Sequence, residues 1–294
     1  MGAKVWDAEH GFIRCETDGL RGNDINLDYP SVGATENIML AAVFADGETY
    51  IRNAAKEPEI VDLQNYLAGM GLNIVGAGTG VIRIKGTKDR LRSSQYSVMP
   101  DRIVAGTYMA AVAMTSGDVV LKGVVPEHLT SIIANLRDCG CRVNAKRGIM
   151  HVSGPAKPKA LDTVRTLPYP GFPTDMQAQI MAVLAVSRGT SIITETIFEN
   201  RYRHAEELLK MGANIRTDGR LAVIKGVKKL VGSNVTARDL RGGAALVLAG
   251  LEAEGQTVVQ GIEHIDRGYE SIEQILSGLG ALIRREEDTD EKKA

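Results

Sequence analysis

Two kinds of apolar pattern alternate along the chain. Ala34–Ala45, Asp101–Thr115, Asp175–Ser187 and Arg241–Glu252 are apolar nearly all round, as in Met109–Met114 and Ala244–Ala249, which predicts buried helices. Glu59–Met70, Glu127–Cys139, His204–Met211 and Tyr269–Leu279 instead place apolar residues three and four apart, as in Ile60, Leu63 and Leu67, or Ile272, Ile275, Leu276 and Leu279. That spacing predicts amphipathic helices nearer the solvent. Each helix of the first kind closes at a glycine (Gly47, Gly117, Gly189, Gly255) before a β-rich run: Thr49–Arg52, Val119–Lys122, Ser191–Thr194 and Thr257–Gln260. Each of the second kind closes at Gly71, Gly140, Gly212 or Gly280, where a left-handed C-cap is expected. Two short strands follow, for example Asn73–Val75 and Val81–Lys85, or Asn214–Arg216 and Leu221–Ile224.

The second set of glycines, with Gly2 before it, lies 68 to 72 residues apart. A fixed period is the signature of a repeat. One unit reads helix, strand, helix, strand, strand, and three such units closing on one another would bury the apolar helices centrally with sheets outside. Around Gly2 only the terminal hairpin of a unit is visible, Trp6–Gly11 and Phe12–Thr17, and a lone hairpin is marginal. The expectation is therefore a chain that starts inside a unit, with N-terminal sequence missing; a degenerate terminal cap is the alternative. A domain boundary is expected in the polar run Lys88–Pro100, a surface linker at Pro155–Lys159, and a fraying charge run at Arg284–Ala294.

Composition narrows the function. With 294 residues and 44% hydrophobic content the chain can build two cores, and with 4% aromatics their volume must come from aliphatic side chains and Met. A net charge of −1 argues against a general nucleic-acid or membrane-surface binder, so any anion binding must be local. Cys15, Cys139 and Cys141 form an odd set with no metal-ligand spacing, which fits a reducing cytoplasm; Cys139 and Cys141, beside Gly140, read as structural. No apolar run follows the N-terminal charges and none reaches membrane-spanning length, so neither a signal peptide nor a membrane anchor is expected.

Candidate chemistry gathers at the helix starts, where free backbone N–H groups attract anions. In Pro170–Gln179, Thr174 and Gln177 have the spacing of a capping box, which leaves Asp175 as a spare carboxylate in the first turn. Read alone, it is either a residue that merely favours the helix dipole or a free acid available to a ligand. Tyr29, Pro30, Ser31, Val32, Gly33 and Ala34 lead into Thr35 at another helix start. Gly33 permits close backbone approach, and the Ser31 and Thr35 hydroxyls could donate to a phosphate, or Ser31 could simply be a cap. Arg201, Arg241 and Arg267 stand at unit links and helix starts and each presents a fork suited to carboxylate or phosphate. Asp239 and Asp266 beside them are equally readable as ordinary ion-pair partners.

The strings Pro170-Gly-Phe-Pro-Thr-Asp-Met-Gln-Ala-Gln179, Glu195-Thr-Ile-Phe-Glu-Asn-Arg201, Asp239-Leu-Arg241 and His264-Ile-Asp-Arg-Gly-Tyr-Glu270 closely resemble the UDP-N-acetylglucosamine 1-carboxyvinyltransferase family, the enolpyruvyl transferases of peptidoglycan synthesis. Ser31-Val-Gly-Ala-Thr35 and Glu57-Pro-Glu-Ile-Val-Asp62 extend the likeness, which runs from Met1 to about Arg285. The resemblance implies an α/β fold, an inside-out α/β barrel of two globes of three units each. Residues 1–98 would be the remnant of an incomplete first globe and residues 99–294 the second.

It further implies transfer of the enolpyruvyl group of phosphoenolpyruvate to the 3-hydroxyl of UDP-N-acetylglucosamine, with release of phosphate and no metal or organic cofactor. Asp175 would be the general base on the sugar hydroxyl. Tyr29, Pro30, Ser31, Val32, Gly33 and Ile197 would contact the nucleotide sugar, and Arg201, Asp239, Arg241 and Arg267 would line the phosphoenolpyruvate pocket. The family's acid is a cysteine in a mobile loop of the first globe, joined by an arginine and a Lys-Asn pair. None of the three cysteines here lies in that context, so the chain is expected to be inactive alone. Two alternatives stay open: a non-catalytic UDP-N-acetylglucosamine-binding module, and the sister enolpyruvylshikimate phosphate synthase, against which the Phe-Pro-Thr-Asp string counts.

Overall fold

The computed structural model describes residues 1–7 and 11–286. The predicted charge run therefore lies outside the described residues from 287 onward. Two compact units emerge: residues 1–99 with Pro168–Pro170, and residues 100–167 with Gly171 onward.

The first unit opens with the antiparallel hairpin β1 (Lys4–Asp7) and β2 (Ile13–Glu16). The turn of the predicted hairpin includes residues outside the description. Then follow β3 (Asp24–Asn26), α1 (Val32–Ala42), β4 (Glu48–Arg52), α2 (Pro58–Gly69), β5 (Asn73–Val75) and β6 (Val81–Lys85). The sheet order is β3-β4-β6-β5, with β3 and β4 parallel and the other neighbours antiparallel.

The second unit repeats this plan. It runs α3 (Arg102–Thr115), β7 (Asp118–Lys122), α4 (Thr130–Asp138), β8 (Arg142–Lys146) and β9 (Ile149–Ser153). It continues with β10 (Thr163–Arg165), α5 (Gln177–Ala185), β11 (Thr190–Thr194), α6 (Arg203–Lys210), β12 (Asn214–Asp218) and β13 (Leu221–Lys225). It ends with β14 (Asn234–Thr236), α7 (Leu240–Glu252), β15 (Val258–Gln260), α8 (Glu263–Asp266) and α9 (Ile272–Gly278). The order β10-β11-β13-β12 matches that of the first unit, and β14 pairs in parallel with β15. The predicted unit thus lacked one element. A three-residue strand precedes the apolar helix and pairs in parallel with the strand after it, the geometry a helical crossover permits. Three residues are too few to show alternation.

Helices α3, α5 and α7 pack on one another and are buried on nearly every face, while strands such as β13 bury only alternate residues. Helices inside and sheets outside is the expected inside-out arrangement; the sheets stay separate, and no ladder among the described residues closes into a barrel. The repeat extends to single atoms. The N–H groups of Leu72, Cys141, Ala213 and Ala281 each reach back five residues to Leu67, Leu136, Leu208 and Leu276, at 3.2, 2.9, 3.1 and 3.0 Å, around left-handed Gly71, Gly140, Gly212 and Gly280, as predicted. Helix α3, expected to close at Gly117, closes one residue earlier at Ser116, which takes the left-handed conformation. Its hydroxyl donates to the Pro155 carbonyl at 2.9 Å.

Candidate active site

The three buried helices of the second unit each begin next to an aspartate, and the three aspartates do different work. Asp101 Oδ1 accepts from the N–H groups of Ile103 and Val104 at 2.7 and 3.0 Å. Asp239 Oδ1 accepts from Arg241 and Gly242 at 3.0 and 2.8 Å. Both are ordinary N-caps. Before α5 the chain instead makes a tight 3₁₀ turn, Thr174–Met176, with no side-chain cap. Asp175 is left out of capping and faces two guanidinium groups. Arg201 Nη2 donates to its Oδ1 at 2.7 Å, and Arg241 Nε and Nη2 grip Oδ2 at 3.3 and 3.1 Å.

The predicted capping box does not form. The Thr174 hydroxyl donates to Glu195 Oε2 at 2.8 Å, and both side-chain polar atoms of Gln177 are buried without a partner. A buried carboxylate is a strong acceptor, and the Thr174 side chain is oriented by Glu195 rather than by the helix start. Asp175 is therefore not spare either; its function is set by arginines rather than by the helix dipole.

Glu195 organises the loop that carries Arg201. It is fully buried. Oε1 accepts from the Thr166 hydroxyl and the Ile197 N–H, both at 2.8 Å, and from the Phe198 N–H at 3.3 Å. Ile197 thus enters the site through its backbone anchorage. The Phe198 ring lies under the Arg201 guanidinium, 4.7 Å from its carbon. Arg241 is held from behind in a similar way. Its Nη1 donates to the Tyr269 hydroxyl at 3.3 Å and its guanidinium sits 5.7 Å from that ring. Tyr269, 1% exposed, also bonds Thr107 at 2.9 Å and Gln179 at 3.3 Å. Burial opposes the charge on Arg241, but Tyr269, Asp175 and Asp101 outweigh it and hold its pKa above the ordinary value.

Asp239 belongs to the same helix start as Arg241 but caps it rather than pairing with its side chain. Asp266 pairs with Arg285, at 3.2 Å from Nη1, not with its neighbour. Arg267, at the C-terminal end of α8, is exposed, and its side chain makes no hydrogen bond or ion pair among the described residues. In the first unit, Ser31 caps α1 by accepting from Ala34 N at 3.3 Å. The Thr35 hydroxyl, expected to be available, is buried: it donates to the Ser31 carbonyl at 2.8 Å and accepts from Ala55 N at 3.0 Å. The space beside Gly33 is open, and Tyr29 is exposed while Pro30 and Val32 are half-buried. Cys139 and Cys141 lie in the core, and burial pushes their thiols up to about 12 and about 11. Cys15 is exposed on β2.

Glu195, Tyr269 and Gln179 were not singled out as functional residues by the sequence. All three stand inside strings quoted above, but nothing in their spacing marks a role.

A sequence model of the EPSP synthase (3-phosphoshikimate 1-carboxyvinyltransferase) family matches residues 1–276. The chain belongs to this family of carboxyvinyl, or enolpyruvyl, transferases. UDP-N-acetylglucosamine 1-carboxyvinyltransferase 2 of Caldanaerobacter subterraneus subsp. tengcongensis is 56% identical over 285 residues, which cover 97% of this chain and 68% of that protein. UDP-N-acetylglucosamine 1-carboxyvinyltransferase 1 of Carboxydothermus hydrogenoformans is 52% identical over 285 residues, covering 97% and 67%. The chain thus spans about two thirds of the length of these relatives. Among solved structures, the enolpyruvyl transferase NikO from Streptomyces tendae superposes with a TM-score of 0.87 at 23% identity, covering 96% of this chain and 69% of that one. EPSP synthase from Acinetobacter baumannii gives 0.70 at 22%, covering 96% and 68%. These two establish the fold.

Proposed function

We propose that this chain carries the base and the arginine receptor of a UDP-N-acetylglucosamine 1-carboxyvinyltransferase. The observation that carries the reading is Asp175: alone among three equivalent helix-start aspartates it caps nothing, and two buttressed arginines surround it. The names of relatives above 50% identity support the choice of nucleotide sugar over shikimate 3-phosphate.

In this reading Arg201, Arg241 and Arg267 gather the carboxylate and phosphate of phosphoenolpyruvate, with Asp239 fixing the helix start that presents Arg241. Asp175 takes the proton from the sugar 3-hydroxyl as its oxygen bonds to the enol carbon, while a proton goes to the methylene carbon. Loss of a methyl proton, with cleavage of the carbon–oxygen bond to phosphate, then restores the carbon–carbon double bond as the enol ether of the sugar. A base must lie within about 2.6–3.2 Å of the hydroxyl it serves, and fixed cations stabilise the charge that develops. Tyr29, Pro30, Ser31, Val32, Gly33 and Ile197 contact the nucleotide sugar. Residues 1–98 form part of one globe and residues 99–294 the other. The reaction is a step of peptidoglycan synthesis in the cytoplasm, and it uses no cofactor.

The acid is the missing member. Cys139 and Cys141 are protonated but sealed in the core, and Cys15 stands on the exposed hairpin, outside the sequence context of the family's acid. The chain by itself binds substrates and does not turn them over. Calorimetry tests the assignment. UDP-N-acetylglucosamine is expected to bind weakly, with a dissociation constant of roughly 0.1–1 mM, and shikimate 3-phosphate not at all. Micromolar binding of the nucleotide sugar would favour a dedicated sensing module; binding of shikimate 3-phosphate would overturn the substrate assignment.

A further inference from the structure

Both oxygens of Asp175 are engaged by guanidinium groups rather than left open to a hydroxyl. Its Oδ2 occupies the Nε/Nη2 edge of Arg241, at 3.3 and 3.1 Å, and its Oδ1 occupies Arg201 Nη2 at 2.7 Å. That edge is the one a carboxylate or phosphate takes bidentately. Both arginines are steadied from the other side by groups that do not depend on Asp175. Phe198 lies under Arg201, and the Tyr269 ring and hydroxyl hold Arg241. Tyr269 is in turn tied to Thr107 and Gln179. If Asp175 let go, the receptors would stay in place. Arg241 is 14% exposed and Asp175 39%, so the aspartate is the more accessible partner and the one free to turn outward.

We propose, building on the function above, that Asp175 is an internal stand-in for the anionic substrate: it fills the arginine forks, and an arriving phosphoenolpyruvate displaces it. Displacement has a chemical consequence. Once the substrate anion takes over the two guanidinium groups, both Asp175 oxygens are freed of them and can turn to the hydroxyl they must serve. The base is thus switched on by the second substrate, and an unaccompanied sugar meets a base that is still occupied.

The idea makes an unusual demand on a residue of the binding site, since removing its charge must improve binding. Phosphoenolpyruvate is titrated into the intact chain and into Asp175→Asn while the arginine Nε–H resonances of Arg201 and Arg241 are followed by NMR. Glu199→Gln serves as the control, because Glu199 is an exposed acid of the same loop that pairs with Arg220 and touches neither fork. The expected result is roughly fivefold tighter binding to Asp175→Asn, the scale of one ion pair no longer competing, with Glu199→Gln unchanged. Equal or weaker binding to Asp175→Asn overturns the displacement and leaves the functional assignment standing. An equal gain in Glu199→Gln marks a general charge effect and also overturns it. If neither chain shifts its arginine signals with phosphoenolpyruvate, the inference and the proposed function fall together.

Discussion

Replacing Glu195 by alanine is expected to destabilise the second unit by about 3–5 kcal/mol, read from urea unfolding at neutral pH. The residue is fully buried, and its loss leaves the hydroxyls of Thr166 and Thr174 and the N–H groups of Ile197 and Phe198 without an acceptor. An unsatisfied buried donor costs about 1–3 kcal/mol, and hydrogen bonds to a charged acceptor are at the strong end of the range. The isosteric Glu195→Gln keeps the shape and an acceptor on one side, so it should cost roughly half as much. Because two of these donors, the Ile197 and Phe198 N–H groups, pin the start of the loop that reaches Arg201, the alanine variant should also lose its phosphoenolpyruvate response. A loss below about 1 kcal/mol would mean that the loop is held by something other than Glu195.

Acidification should destabilise the same unit through His204. This side chain is 4% exposed, and its Nε2 is buried without a partner. Burial is the main cause that lowers its pKa from 6.5 to about 4; Asp239 nearby works in the opposite direction and Arg201 adds to the lowering. As pH falls, the unfolded chain protonates at the ordinary value while the folded chain resists. The neutral histidine's contribution is therefore complete above pH 6.5 and is lost as pH falls through about 4. At about 1.4 kcal/mol per pH unit this interval amounts to roughly 3 kcal/mol. His204→Leu should flatten the pH dependence of unfolding, and since Nε2 has no partner to abandon, it should leave stability at pH 7 intact or raise it. An unchanged slope between pH 7 and pH 4.5 in that variant would refute the assignment.

The architecture was largely legible because it is repeated. Gly71, Gly140, Gly212 and Gly280 each end an amphipathic helix in the left-handed region, and a conformation so restricted by sterics shows directly in residue choice. The three-residue strands β3, β10 and β14 were not legible, because their pairing is dictated by the crossover rather than by any local pattern. At the site, the importance of the Asp175 helix start could be read from its chemistry, but its environment could not. The Thr174 and Gln177 spacing pointed to a capping box, and a tertiary acceptor, Glu195, claimed the threonine instead. Arg201 and Arg241 lie 26 and 66 residues from Asp175 along the chain, and no local signal tells which acid an arginine will meet. The same holds for Arg285, which takes the Asp266 that sits beside Arg267.

We propose that this chain holds the base and the anion receptor of enolpyruvyl transfer without the loop cysteine that serves the family as acid. Phosphate release from the chain incubated with saturating phosphoenolpyruvate and UDP-N-acetylglucosamine tests it most directly. The expected rate is indistinguishable from that of the substrates alone. Release above that background would contradict it, because a proton donor to the methylene carbon would then have to exist among the residues present.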